Sequence, residues 1–188
     1  MEPGESTPAK TAPQPLYLVQ RFVNSVDVES GEDELSSPEA LRDWFVERGL
    51  MSGDEDVGPA DLRRAIDVRE GLRAVLLHNN GHPFDEERVA RLDRAVRRAG
   101  VRVRFEGGRD PELAPDAEGV DGAVARLMAI VAAAVEHGRW ERLKACPRDE
   151  CEWAFYDQSK NRSGRWCTME SCGNIEKAKA FRERRRGS

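Results

Sequence analysis

The four cysteines of this 188-residue chain lie near its C-terminus, in the pattern C-x4-C-x15-C-x4-C. Two closely spaced pairs, separated by an insert long enough to fold back, are how a chain surrounds one tetrahedral ion. Two other interpretations are two disulfides and four unrelated buried thiols. The paired clustering favours a single Zn²⁺, and four thiolates leave no open coordination position for water, so the site is expected to be structural rather than catalytic. The expected ligands are Cys146, Cys151, Cys167 and Cys172.

The insert between the two pairs, EWAFYDQSKNRSGRW, predicts a β-hairpin. Trp153 and Phe155 alternate with other residues, a turn is expected over 159–164, and Trp166 lies on the returning strand. The second pair leads into a helix expected over 174–186, whose N-terminal dipole favours the Cys172 thiolate. Together these elements predict a treble-clef-like finger. Such a small unit has little core, so metal binding must supply much of its folding energy.

Charge is distributed unevenly along the chain. Residues 140–188 hold 12 Lys and Arg against 8 Asp and Glu, whereas residues 1–139 hold 18 against 27. An acidic body with a basic end indicates contact with a polyanion, although basic residues also simply solvate terminal helices. The candidate nucleic-acid-binding residues are Lys160, Arg162, Arg165, Lys177, Lys179 and Arg182.

The part of the chain before the cysteines predicts a mostly helical body. Apolar residues recur at helical spacing, Ser37 precedes Pro38 as a helix cap, and glycines follow several of the apolar stretches. Helices are expected over residues 16–27, 38–49, 59–79, 85–99 and 120–136.

One small β element interrupts these helices. Residues 101–105, VRVRF, alternate strictly, which predicts a half-buried strand that pairs with a second strand near Leu113. The last helix of the body is expected to bury Val124, Leu127, Met128, Val131 and Val135.

Three polar residues within or beside apolar stretches, Asn24, Asp27 and Arg69, are candidates to line a pocket for a small-molecule effector. A plainer interpretation is that Asn24 pins a helix, Asp27 faces water and Arg69 pairs with a carboxylate. We expect no enzymatic activity. His78 and His82 do not form a metalloprotease motif, because no Glu follows His78 and Gly81 breaks the helix.

The chain divides into three predicted segments. Residues 1–15 are rich in Pro, Ser, Thr and charge, which predicts a disordered tail. Residues 16–140 form the helical domain and residues 141–188 the finger. No apolar run is long enough to cross a membrane, and we expect a cytoplasmic protein, associated with the nucleoid if it binds DNA.

The finger resembles the CGNR zinc-finger family, whose pattern is close to C-x-W-x-F-x-D-x-S-x-N-x-S-x-R-W-C-x-M followed by C-G-N-R. The chain follows this pattern from Cys151 to Met169 and again at Cys172, Gly173 and Asn174. It departs at Ile175, which stands in place of the family's arginine. If that arginine contacts phosphate or a partner in relatives, this chain lacks the contact.

The helical body resembles the ABATE domain, the usual companion of this finger. The similar segments are LVQRFVNSVD, at residues 18–27, and LSSPEALRDWFVERGL, at residues 35–50. The resemblance implies a bacterial transcription regulator linked to stress. We therefore expect DNA binding through the finger, with a homodimer providing specificity. The alternatives are a protein-interaction module that docks on the transcription machinery, and a redox sensor that loses zinc when its thiolates are oxidised.

Overall fold

A computed structural model describes residues 10–105 and 112–186. The described residues form six α-helices and four short β-strands. The helices are α1 (Leu16–Val23), α2 (Pro38–Glu47), α3 (Pro59–Asn79), α4 (Glu86–Val96), α5 (Gly119–Glu136) and α6 (Asn174–Arg186). The strands are β1 (Val101–Arg104), β2 (Glu112–Pro115), β3 (Leu143–Ala145) and β4 (Ala154–Tyr156).

The helices begin where local chemistry predicts. Ser37 accepts a hydrogen bond from the Ala40 amide at 3.2 Å and so caps α2. The Asp61 carboxylate accepts one from the Gly58 amide at 3.0 Å at the start of α3, and Asp85 caps α4. The prediction of helix over 59–79 is confirmed residue by residue, whereas α1 and α4 are shorter than expected.

The core of the body lies between α1, α2, α3 and α5. Phe22, Trp44 and Phe45 form an aromatic cluster with ring centroids 5.5 to 6.0 Å apart. Helices α3 and α4 approach closely at Gly71, where a Cβ atom would lie 2.4 Å from the Cβ of Leu92. Only glycine permits this contact without displacing α4.

Two details of the body differ from expectation. Strand β1 pairs with β2 as predicted, with Val103 opposite Leu113, but β1 is exposed along its whole length rather than half buried. The pair packs on α5 through β2, which leaves β1 on the outside. Val124 and Leu127 are buried as expected and Met128 and Val131 are half-buried, but Val135 is 57% exposed, because in the last turn of α5 it is Ala134 that faces the core.

The finger is built on the helical body instead of standing apart from it. Strand β3 packs against α3 and pairs antiparallel with β4. Leu143, Ala145 and Ala154 are completely buried in the same apolar cluster as Phe22 and Leu76 of the body. The hydrophobic core is therefore continuous across the predicted boundary at residue 140.

The N-terminal segment corrects another expectation. Residues 10–15, expected to be part of a disordered tail, lie against the body and the finger: Ala12 is buried, and the Lys10 carbonyl accepts a hydrogen bond from the Tyr156 amide at 2.7 Å. The rest of that predicted tail, residues 1–9, lies outside the described residues. Among the helices of the described residues, none is long and apolar enough to span a membrane.

Candidate metal centre and the surface around it

The structure brings the four cysteines together. Their Sγ atoms all lie within 4.8 Å of one another, and Cys167 lies 3.6 Å from both Cys151 and Cys172. A tetrahedral zinc ion with bonds of about 2.3 Å would separate its sulfur ligands by about 3.8 Å. Cys146 and Cys172 are buried and the other two are half-buried. The spacing, the donor chemistry and the burial all fit one structural zinc ion.

The first cysteine pair is held in a turn between β3 and β4. Cys146 directly follows β3, and its amide donates a hydrogen bond to the Trp153 carbonyl at 2.9 Å. Glu152 takes a left-handed conformation with φ of 44°, which turns the chain back into β4. The hairpin therefore spans the first pair. Our prediction of a hairpin within residues 152–166 is wrong, because β4 pairs with the strand before Cys146 and not with residues near Trp166.

The second pair lies at the entrance to α6. Thr168 accepts a hydrogen bond from the Ser171 amide at 3.3 Å, and a single π-helical turn, Met169–Gly173, leads into the helix. A Cβ atom on Gly173 would lie 2.8 Å from the sulfur of Met169, so a larger residue there would displace the end of the Met169 side chain. Cys172 therefore sits at the N-terminal end of the helix, as the sequence predicted.

Electrostatics around the cysteines favour a bound cation. Hydrogen bonds from the thiols of Cys151 and Cys167 lower the pKa of Cys146. The hydrogen bond with Cys146 raises the pKa of Cys151, and burial raises it further. Without a cation, only part of the cluster can therefore ionise. A zinc ion would supply the charge that allows all four residues to be thiolates.

Arg148 links this centre to the helical body. One Nη atom lies 3.7 Å from the Sγ of Cys172, and the other donates a hydrogen bond to Glu29 at 2.8 Å. These contacts, the Glu29 carboxylate first, raise the pKa of Arg148. The guanidinium therefore offsets part of the negative charge of the thiolates and orients Cys172. Sequence reasoning did not identify this residue.

A buried ion pair shapes the loop over residues 157–165. Lys144 is 5% exposed and Asp157 is 2% exposed, with Nζ and Oδ2 2.7 Å apart. Asp157 also accepts hydrogen bonds from the amides of Ser159 and Gly164, and Lys144 donates to the carbonyls of Arg162 and Gly164. Burial raises the pKa of Asp157, but the hydrogen bonds from Lys144 and Ser159 outweigh it and lower the pKa to about 2. The loop is thus fixed from beneath.

The predicted nucleic-acid-binding residues lie on two exposed segments next to the cysteines. Lys160, Arg162 and Arg165 are exposed on the fixed loop, where Arg162 also forms an ion pair with Glu141. The other three project from α6, which makes its main contacts with the turn that precedes it. Lys177, Lys179 and Arg182 are all exposed. The loop ends two residues before Cys167 and α6 begins two residues after Cys172, so both segments adjoin the second cysteine pair in the chain.

The three candidate effector residues are not brought into one site. Arg69 is buried and forms a two-pronged ion pair with Asp33, at 2.7 and 2.9 Å. Asp27 accepts hydrogen bonds from the amides of Glu29 and Ser30. Asn24 and Asp27 line a cleft beside the cysteines, and Arg69 is not among the residues that line it. The plainer interpretation therefore describes Arg69 well.

Asn24 instead joins the body to the finger. Its side-chain oxygen accepts a hydrogen bond from the Ala154 amide at 2.7 Å, and its amide nitrogen donates to the Ala154 carbonyl at 2.9 Å. Gln20 donates to the same carbonyl, and Arg73, which is fully buried, donates to the carbonyls of Val23 and Glu152.

Helix α3 ends in two further bridges of this kind. Asn79 donates to the carbonyls of Trp140 and Leu143, and Asn80 donates to those of Ala145 and Arg165. Sequence reasoning interpreted these two residues only as a helix stop. The Asn79-Asn80 pair at the end of a buried helix was the available signal.

Comparison with known proteins agrees with this two-part arrangement. Residues 17–139 match the ABATE family, described as "Putative stress-induced transcription regulator", and residues 142–185 match the CGNR zinc finger. A search of curated proteins found no match. The ABATE match covers well over half of the chain and the two matches follow each other in the predicted order. The chain therefore belongs to the ABATE family and carries a CGNR zinc finger over residues 142–185.

Proposed function

We propose that this protein regulates transcription by binding DNA through the zinc finger, under the control of the helical domain. The observation that carries the proposal is the presence of two exposed basic segments, the loop over 157–165 and α6, which precede and follow the second cysteine pair along the chain. Because phosphate contacts supply most of the affinity for DNA, basic side chains on rigid supports are the feature that such a protein needs.

Helix α6 suits a DNA groove. At about 100° per residue, Lys177 and Lys179 point to nearly opposite sides of the helix, and Arg182 lies about 60° from Lys179. A helix that enters the major groove has a phosphate backbone on each side, so basic residues on both flanks can be used at once. The centre fixes the N-terminal end of α6 through Cys172, which would set the angle at which the helix leaves the finger.

The loop supplies the second set of contacts. Lys144 and Asp157 fix its backbone from inside the finger, so Lys160 and Arg165 require little ordering on binding. One finger makes few contacts, and we therefore propose that two copies bind together, as dimeric regulators do on paired half-sites. A four-thiolate zinc centre has no open coordination position, so the proposal includes no catalytic step.

Control by the helical domain would act through the shared core. The contacts from Asn24 to Ala154 and from Asn80 to Arg165 connect helices of the body directly to β4 and the basic loop. A ligand that changes the position of α1 or α3 would therefore change the presentation of the basic residues.

The direct test is DNA binding by the zinc-loaded protein. The probes are a fragment from upstream of its own gene and a random fragment of equal length, each at about 50 mM and about 150 mM salt. The Lys177/Lys179/Arg182 triple alanine variant should bind at least about tenfold more weakly, with a salt slope reduced by about 2 to 3. The matched control removes the same charge from exposed positions of the body: Arg63, Arg94 and Arg97, each changed to alanine.

Equal affinity for the two fragments, or equal weakening in the two triple variants, would overturn the proposal. The first result would show that binding does not depend on sequence. The second would show that loss of net charge, and not loss of the finger surface, weakens binding.

A second candidate function, docking on another protein, is favoured by a specific observation. Ile175 and Phe181 are 44% and 54% exposed on α6, and Ile175 stands where the family has an arginine. Exposed apolar residues on a projecting helix are typical of protein interfaces. Co-purification with RNA polymerase that survives about 300 mM salt and is lost in an Ile175→Asp/Phe181→Asp variant would favour this function, because apolar docking depends less on salt than phosphate contacts do.

A further inference from the structure

A cleft of about 400 Å³ lies between α1 and the cysteine centre. One wall consists of side chains on a single face of α1 together with its C-cap residue. Residues three and four positions apart lie on the same side of a helix. The opposite wall is the hairpin around the first cysteine pair and the turn before α6, and three of the four cysteines contribute to it. The volume is that of a typical small-molecule site. The residues of this α1 wall are Tyr17, Gln20, Arg21 and Asn24.

The chain already places an ammonium group in this cleft. The Nζ atom of Lys10 lies 4.9 Å from the centroid of the Phe155 ring and also donates a hydrogen bond to the Trp166 carbonyl. Lys10 is held there through its own carbonyl, which accepts a hydrogen bond from the Tyr156 amide. A cation over an aromatic face is a stabilising arrangement that is stronger where water is excluded. The cleft thus offers a cation-binding position within reach of further aromatic lining residues, Tyr17 and Trp153.

The net charge of the cleft also favours a bound cation. Among the residues that line it, the cations Lys10 and Arg21 balance the carboxylates of Asp27 and Glu29. Two residues next to the lining are also charged: Glu34 forms an ion pair with Arg21, and Arg148 forms one with Glu29. The charges of Glu34 and Arg148 therefore cancel as well. What remains is the cysteine centre: four thiolates around one Zn²⁺ carry two negative charges. With zinc bound, the cleft is therefore negative overall and aromatic on one side.

We propose that this cleft binds an organic amine whose ammonium group takes the position of Lys10 Nζ over Phe155. The amine would lie between the helical domain and the finger, against the α1 residues that hold β4. Gln20 and Asn24 line the cleft and donate hydrogen bonds to the Ala154 carbonyl. An occupant therefore contacts the residues that join the helical domain to the finger. Its regulatory consequence rests on the proposed function, whereas binding itself does not.

The test is isothermal titration calorimetry on the zinc-loaded full chain, without DNA. Three probes share one size and differ in charge: 2-phenylethylamine, 2-phenylethanol and phenylacetate. The amine should bind at least about tenfold more tightly than the alcohol, and phenylacetate should not bind. Equal affinity for the amine and the alcohol, or preference for phenylacetate, would overturn the proposal. A negative DNA-binding result would leave this outcome unchanged, since the titration contains no DNA.

Variants sharpen the assignment. Lys10→Ala removes the internal competitor, so the affinity for 2-phenylethylamine should rise by about fivefold or more. Asp27→Asn keeps an oxygen that accepts hydrogen bonds from the amides of Glu29 and Ser30 but removes a negative charge. It should weaken binding of 2-phenylethylamine several-fold. Phe155→Leu should abolish the preference for the amine, with zinc content measured to verify folding. The control is Lys160→Ala, an exposed lysine outside the cleft, which should change nothing.

An unchanged affinity in Lys10→Ala would contradict the position assigned to the ammonium group. This variant is the safest of the set, because it truncates the side chain beyond Cβ and leaves the backbone hydrogen bond to Tyr156 in place.

Discussion

The helical body and the zinc finger are stabilised in different ways. The body buries a broad apolar core in which the rings of Phe22, Trp44 and Phe45 pack against one another between the helices. The finger has two three-residue strands, whose buried apolar residues belong to the core of the body, and beyond them its interior is a cysteine cluster and the Lys144–Asp157 ion pair. A large core tolerates small losses at many positions, whereas a small unit concentrates its stability in a few polar contacts and one metal. The difference predicts where single substitutions have their largest effects.

Loss of the metal should have the largest effect. Cys167→Ser should reduce zinc from one ion per chain to none and disorder the finger, because structural zinc contributes about 10–16 kcal/mol in isolated fingers. Zinc content by mass spectrometry and backbone amide NMR would measure both effects. The matched control is Ser163→Ala in the same finger. A Cys167→Ser variant with native finger signals would contradict the metal-based account.

Breaking the buried ion pair between Lys144 and Asp157 should have the second-largest effect. Lys144→Met leaves the Asp157 charge buried without its partner, which should lower the free energy of unfolding by about 3–5 kcal/mol. Urea denaturation measures this, with Lys160→Met at an exposed site as the control. The double variant Lys144→Met/Asp157→Leu should recover part of the loss, because the unpaired charge is then absent. If the double variant is less stable than Lys144→Met, the pair is not what holds the loop.

The smallest of the three effects should follow loss of the hydrogen bonds between Asn24 and Ala154, which join the body to the finger. Asn24→Ala removes both hydrogen bonds to Ala154 and leaves the buried N–H group of Ala154 without an acceptor. This should lower the free energy of unfolding by about 2–4 kcal/mol. The finger should also exchange its amide hydrogens faster than the body does. Asn161→Ala, at an exposed loop position, is the control. Unchanged exchange in the finger would show that the hydrogen bonds of Asn24 do not stabilise it.

The same difference explains how much the sequence could predict. Helix α3 was predicted from Pro59 to Asn79 because an apolar stripe and a stop signal are both local. The cysteine centre was predicted because its spacing is a local pattern as well. Both depend on information contained within short stretches of the chain.

The failures concern contacts between distant residues. Strand β3 is only three residues long, too short for an alternating pattern to be visible, so the hairpin was placed one segment too late. The exposure of β1 depends on how β2 meets α5, and the role of Asn24 depends on Ala154, 130 residues away. Polar side chains that satisfy distant carbonyls leave no periodic signal in a single sequence.

One measurement tests the central claim most directly, namely that zinc and the shared core make the body and the finger a single cooperative unit. Thermal unfolding is followed by circular dichroism for the helices and by amide NMR for the finger, with zinc bound and after chelation. The account predicts one shared transition with zinc bound, and a finger that unfolds well below the body once zinc is removed. Two separate transitions in the zinc-bound protein, or an unfolding temperature of the finger that does not change on chelation, would contradict it.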